Sequence, residues 1–179
     1  MIFDARHVNK YVHARTFRYE DLSYAAEIFE SGDYFVRFDL KSGYHHVDVH
    51  ELHHKYLGFH WFRDGSERFH QFTVLPFGLS PCSYVFLKIM RPLTKKWRGQ
   101  GLKAVIFLDD GIVSNGDERS TKMAAETIRR DLLDAGFLIN HAKSDFLPTQ
   151  KREWMGVIID TTKLTFEFPG EKLPNSRVA

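Results

Sequence analysis

Apolar and polar positions alternate along this chain with periods that change several times, and each change predicts an element. The opening Met1 to Lys10 reads as a strand and turn already in progress. From Glu20 to Phe29, apolar Leu22, Ala25, Ala26 and Phe29 recur along one helical face, and Gly32 with Asp33 ends that run. Tyr34 to Phe38 reads as a strand running directly into Asp39. Strands are expected around residues 56–62 and 68–74, joined at Arg63-Asp64-Gly65-Ser66. Ser80 fits a helix N-cap and Pro81 the first helical position, ahead of a stripe of Val85, Phe86, Ile89, Met90 and Leu93. Lys95, Lys96 and Arg98 follow as a solvated helix end, favourable toward the helix dipole. A second long helix spans Glu118 to Asp134, with Ala124, Ile128 and Leu132 along one side and Gly136 as its stop. Phe137-Leu138-Ile139 reads as a strand, and 153–160 with 164–168 as a last hairpin around a polar turn. This pattern predicts an α+β fold, an antiparallel sheet with helices on one face.

The stretch that organises the rest is Val105-Ile106-Phe107-Leu108-Asp109-Asp110-Gly111-Ile112-Val113. Asp-Gly between apolar runs predicts a tight hairpin, here with two aspartates at its tip. Adjacent like charges repel, so such a pair is either an ordinary polar turn or a seat for a cation. Oxygen-only ligands of this kind suit Mg²⁺ or Mn²⁺. Asp39, at the end of its own apolar strand, is either a turn or cap residue or a third carboxylate facing the same place. Far from Asp109 in the chain, it can meet that residue only through tertiary structure.

Composition narrows the picture. The chain has 179 residues, 43% hydrophobic and 27% charged, as expected for one globular domain. Net charge is only +2, with ten histidines and a pI near 8.6, which permits a nucleic-acid partner without demanding one. Cys82 stands alone, which excludes an internal disulfide framework and suits a reducing, intracellular compartment. No apolar run approaches the roughly 18 residues of a membrane span. His50-Glu51-Leu52-His53-His54 matches the H-E-x-x-H signature of zinc hydrolases. The preceding Val47-Asp48-Val49 alternates as a strand, however, and no further ligand follows from spacing. Polar surface histidines are the alternative.

Five blocks together resemble the reverse transcriptases of retrotransposons. They are Phe38-Asp39-Leu40-Lys41-Ser42-Gly43-Tyr44, Leu75-Pro76-Phe77-Gly78-Leu79, Phe107-Leu108-Asp109-Asp110, Gly136-Phe137 through Lys143-Ser144, and Trp154-Met155-Gly156. In flavour the resemblance is closest to the tyrosine-recombinase (DIRS-like) elements and their Gypsy-like relatives. The resemblance implies a polymerase palm, an antiparallel sheet backed by helices, with part of the fingers. Residues of about 1–30 and 47–80 would belong to the fingers, about 31–46 and 81–168 to the palm, and 169–179 to a tail toward a thumb. It implies template-directed DNA synthesis from dNTPs on a primed RNA or DNA template, with two Mg²⁺ or Mn²⁺ ions. Asp39, Asp109 and Asp110 would hold the ions, with the Leu40 carbonyl as a further ligand and Lys143 protonating the pyrophosphate. Tyr44, unless a buried sheet tyrosine, would exclude a 2′-hydroxyl, and Phe77 and Gly78 would lie beside the nucleotide. Leu108, Trp154, Met155 and Gly156 would hold the primer.

Departures accompany the match. Phe77 stands where retroviral enzymes carry glutamine. The chain opens at or beyond the finger strands that clamp the triphosphate, leaving Arg6 as the nearest candidate. Thumb, ribonuclease H and recombinase or integrase regions are expected elsewhere in a larger polyprotein. A catalytically silent palm-like protein that binds nucleic acid or a partner is the alternative to an enzyme. Viral RNA-dependent polymerases share the palm logic, and Tyr44 argues against them.

Overall fold

The computed structural model describes residues 3–13, 15–63 and 65–169. The described chain forms two compact units: one from the residues up to Arg18 with Lys41–Pro92, the other from Tyr19–Leu40 with the residues after Pro92. By residue, 19–30 falls in the second unit, and 41–46 and 81–92 fall in the first.

In the first unit, the opening residues form a helical turn, α1 (Arg6–Asn9), instead of the expected strand. Asp4 Oδ1 accepts the Arg6 amide at 3.2 Å, a local side-chain bond that competes with strand pairing. A 3-10 turn spans Gly43–His46, and α3 (Glu51–His54) is a single helical turn. The expected hairpin forms as β2 (Gly58–Arg63) and β3 (Ser66–Gln71), antiparallel from Gly58↔Gln71 to Arg63↔Ser66. A small core gathers Phe3, Ala5 and Leu57, with Val49, Phe59, Phe72 and Leu79 packed against it. The long helix α4 (Cys82–Gly99) starts one residue later than expected. Pro81 supplies the carbonyl for Val85 N at 3.0 Å, while the Ser80 amide is taken by Asn9 Oδ1 at 2.9 Å.

The second unit is built on a four-stranded antiparallel sheet. Its strands are β1 (Tyr34–Asp39), β4 (Lys103–Phe107), β5 (Asp110–Asn115) and β6 (Asp145–Thr149), in the order β4-β5-β1-β6. Strand alternation puts Phe35, Arg37 and Asp39 on one face of β1, and Val36 and Phe38 on the other. Helix α2 (Leu22–Ile28), capped by Asp21 on the Ser23 and Tyr24 amides, covers the first face. Its Ala25, with Phe29, packs with Phe35, Val105, Ile112, Trp154 and Ile159. Against the other face, Phe38 meets Trp97 edge to face at 5.8 Å, and Trp97 donates to Asp131 Oδ2 at 2.9 Å. Asp131 lies on α5 (Glu118–Asp134), whose Ala124, Ile128 and Leu132 are buried as expected. Fully buried, Phe35, Phe38 and Trp97 each contribute about 2–3 kcal/mol from apolar burial.

Three other expectations need correction. Phe137-Leu138-Ile139 makes only an isolated bridge, Ile139 to Leu40, because the true neighbour of β1 is β6. Residues 153–160 do not form one strand: β7 (Lys151–Trp154) turns at Met155-Gly156 into β8 (Val157–Asp160), which pairs with β9 (Thr165–Glu167). Met155 and Gly156 both take positive φ, 51° and 74°, the conformation a two-residue hairpin turn requires. Finally, the basic end of α4 is tied down. Lys96 pairs with Asp131 at 2.8 Å and Arg98 with Glu20 at 2.6 Å. Among the described residues, no helix is long and apolar enough to cross a membrane.

Candidate active site

The hairpin forms where the sequence placed it, but its turn does not fall on Asp110-Gly111. Phe107 pairs with Asp110, so Leu108 and Asp109 make the turn and Asp110 opens β5. Leu108 pays for this with φ of 56°, which costs a leucine about 1–2 kcal/mol. Gly111 serves packing instead: a Cβ there would lie 2.2 Å from the Phe38 ring on the facing strand.

This register brings the carboxylates to one corner of the sheet. Asp39 pairs across from Asp110, and the Leu40 amide donates to the Asp109 carbonyl at 2.8 Å. A cavity of about 700 Å³ is lined there by Asp39, Asp109, Asp110, Arg37, Lys143 and Met155, among others.

The three carboxylates have different partners. Asp39 Oδ1 accepts from Asn140 Nδ2 at 2.8 Å, and Lys143 Nζ stands 3.8 Å from Oδ2. The Asp39 amide donates to Ser144 Oγ at 2.9 Å, and its carbonyl accepts from the Asn140 amide at 2.8 Å. Burial pushes the Asp109 carboxyl above its usual range and the Asp39 charge adds to this, while a backbone hydrogen bond and Lys143 oppose it. Asp110 is held by Arg37, Nε to Oδ1 at 3.1 Å and Nη2 to Oδ2 at 3.0 Å. Burial nevertheless raises the Asp110 carboxyl, with Arg37 opposing and the charges of Asp39 and Asp109 adding.

Hard oxygen donors that repel one another fit a divalent cation, whose charge relieves that repulsion. Among the described residues no trio of His, Cys, Asp or Glu is gathered as a complete metal cage. Asp39, with Asn140 and Lys143 beside it, and Asp109 are the carboxylates outside the Arg37 fork. Leu40 is buried, and its amide joins the end of β1 to the turn.

The other sequence-predicted residues divide between the units. Leu108, Met155 and Gly156 are partly buried turn residues of the second unit. Trp154 is fully buried in the core, so it supports its turn from beneath and offers no surface to a primer. In the first unit, Tyr44 is 8% exposed, in a 3-10 turn and not a sheet. Its hydroxyl lies 2.6 Å from Ser83 Oγ, and its ring packs on Phe77 at 4.9 Å and Phe86 at 5.6 Å. Gly78, at φ of 96°, makes its close approach to protein: a Cβ would sit 2.9 Å from the Phe3 carbonyl oxygen. Arg6 is exposed and forked onto Asp4, at 2.6 to 3.1 Å, which holds that carboxyl down at about 2.

The zinc reading fails on local geometry. His50 Nδ1 accepts the Leu52 amide at 3.3 Å, and His54 Nε2 meets the Val49 carbonyl at 2.6 Å. Both nominal ligands are spent on backbone within one turn of helix. Arg37, Asn140 and Ser144 were missed. Arg37 had a signal, a cation two positions before Asp39 in an otherwise apolar strand. Asn140 and Ser144 had none beyond lying beside Lys143.

This antiparallel sheet backed by helices, with carboxylates at one end, has the fold of solved reverse transcriptases. A foamy viral protease–reverse transcriptase solved with double-stranded DNA matches it at a TM-score of 0.80, covering 96% of this chain and 28% of that one, at 23% identity. The same viral protein solved with an RNA/DNA hybrid matches at 0.79, covering 94% and 21%, at 22% identity. The chain belongs to the reverse transcriptase (RNA-dependent DNA polymerase) family, whose pattern matches residues 1–159. It is similar to the retrovirus-related Pol polyprotein from transposon gypsy of Drosophila melanogaster, 27% identical over 73% of this chain. It is also similar to that from transposon opus of the same organism, 25% identical over 89%. The chain spans only 12% and 15% of the length of these two relatives.

Proposed function

We propose that this chain is the catalytic part of a retroelement Pol polyprotein, extending a primer with dNTPs on an RNA or DNA template. The observation that carries this is the convergence of Asp39 and Asp109, remote in sequence, at one corner of the sheet, joined by the Leu40–Asp109 backbone bond. Asp39 and Asp109, with Asp110 and the Leu40 carbonyl, hold two divalent ions, Mg²⁺ or Mn²⁺. Such ions activate a primer hydroxyl and neutralise the charge of a triphosphate when bound. The chain's own contribution is positioning and charge. Lys143, beside Asp39, is the proton donor for the leaving pyrophosphate, and its exposure leaves it open to solvent protons. Leu108, Met155 and Gly156 present turns to the primer end, with Trp154 beneath them.

In the first unit, Tyr44 and Phe77 form the wall for the incoming sugar and base, with Gly78 shaping that loop and Arg6 reaching the triphosphate. Duplex is held through phosphates and shape, which makes binding salt-sensitive and sequence-independent. The partners are a primed template, dNTPs and further polyprotein regions such as thumb, ribonuclease H and recombinase or integrase, in the cytoplasm or nucleus.

Primer extension on an RNA template with Mg²⁺ or Mn²⁺ tests the reading. Parent activity should fall by about 10³-fold or more in Asp109→Asn, the scale of lost electrostatic stabilisation at a reacting phosphate. Equal extension by both proteins would end the assignment of Asp109. One observation favours a second reading, a catalytically silent palm-like nucleic-acid-binding fragment: Arg37 occupies Asp110. Duplex binding by a parent that does not extend primers, in this chain and in the whole polyprotein, would select it. Tyr44→Val should raise ribonucleotide incorporation in an active enzyme, and an unchanged rNTP/dNTP ratio would remove Tyr44 from that role.

A further inference from the structure

Arg37 stands on β1 two residues before Asp39, on the same face, and lines the same cavity as the three aspartates. Its guanidinium meets both oxygens of Asp110, at 3.1 and 3.0 Å, in the fork geometry that makes arginine–carboxylate pairs strong. The remaining amino group, Nη1, donates to the Glu153 carbonyl at 3.2 Å, on the strand that leads into the Met155-Gly156 turn. The pair is mostly sheltered, with side chains 24% and 19% exposed. One side chain thus satisfies the third carboxylate and fastens a second hairpin to it.

We propose that Arg37 is a positioning residue that occupies Asp110 in the resting site, leaving Asp39 and Asp109 as the carboxylates open to a divalent cation. The inference rests on the cation-dependent reading of this site. A cation drawing on Asp110 must displace the Arg37 fork, and the arginine charge itself opposes its approach. Movement of the fork also disturbs the Arg37 bond to the Glu153 carbonyl, so cation loading and the seating of the Met155-Gly156 turn are linked through one guanidinium. A strut with no bearing on the cation would leave cation affinity untouched or, through lost order, weaken it.

The test is direct Mn²⁺ binding to this chain, followed by the electron paramagnetic resonance of free Mn²⁺, with no turnover required. Asp109→Asn should weaken binding. If it does not, the reading of the site itself falls, and this inference with it. Arg37→Gln should tighten binding about tenfold, since it removes a positive charge and releases a ligand. Arg37→Gln with Asp110→Asn should return close to the parent value, because the freed ligand is gone and the charge is restored. Arg37→Lys keeps the charge but not the fork, and should tighten binding about threefold. A folded Arg37→Gln protein that binds Mn²⁺ like the parent or more weakly overturns the inference. So does a double variant that keeps the whole gain. Should Arg37→Gln fail to fold, an Arg37→Lys protein with the parent affinity overturns it equally.

Discussion

Two hairpins of this chain carry the same dipeptide and use it differently. In β2–β3, Gly65 falls where the sequence signal puts it: Arg63 pairs with Ser66 and Gly65 takes φ of 75°. In β4–β5, Asp110-Gly111 lies inside a strand, and Leu108 adopts the positive φ in place of a glycine. The difference is what surrounds them. All of β3 is exposed, so less packing competes with the turn for that register. The β4–β5 pair is buried beside β1, and the Phe38 ring requires a residue without a Cβ opposite it. Turn preference decides a register only where packing does not.

The largest expected effect is at Gly111. Gly111→Ala drives a methyl into a ring already held by Trp97, and urea unfolding should show a loss of about 3 kcal/mol, the upper range for overpacking. Combining it with Phe38→Leu should cost less than the two single changes summed, since one relieves the other. Strict additivity would remove Phe38 as the cause. At Gly65 nothing lies within 4 Å of an added Cβ, so Gly65→Ala should cost only the left-handed backbone term, about 1 kcal/mol. Equal losses at both glycines would dissolve the comparison.

The smallest effect is a pH slope. The Asp110 carboxyl is raised, so the folded state retains its proton to higher pH than the unfolded chain. The stability this contributes is complete below the ordinary carboxyl value and is lost as pH rises through the raised one. Stability of the parent measured against Asp110→Asn should therefore decline with rising pH across that window. A margin that grows instead would contradict the burial of Asp110 as the dominant influence.

What the sequence disclosed follows the same division. Helix α5 runs from Glu118 to Asp134 as its spacing predicts, because Asp117 and Gly136 punctuate it locally. Strand β1 was legible because its apolar run ends at Asp39, whereas the meeting of Asp39 with Asp109 was implied by the family resemblance and not by the local pattern. The reversal at Met155 was not, since a methionine with positive φ is sustained by the packing of Trp154 and not by its own preference. Strand β6 was hidden by Pro148, which argues against a strand anywhere except at a sheet edge. The Arg37–Asp110 fork links residues far apart in the chain, and no local pattern announces such a pair.

Pro148 has a consequence beyond its own strand. The β4-β5-β1-β6 sheet ends at β6, and an open edge is where a stray strand from another chain adds on. With no N–H at that position, the border cannot offer a full ladder to such a newcomer. The side of the sheet beyond β6 is thereby guarded against self-association and fibre-like growth.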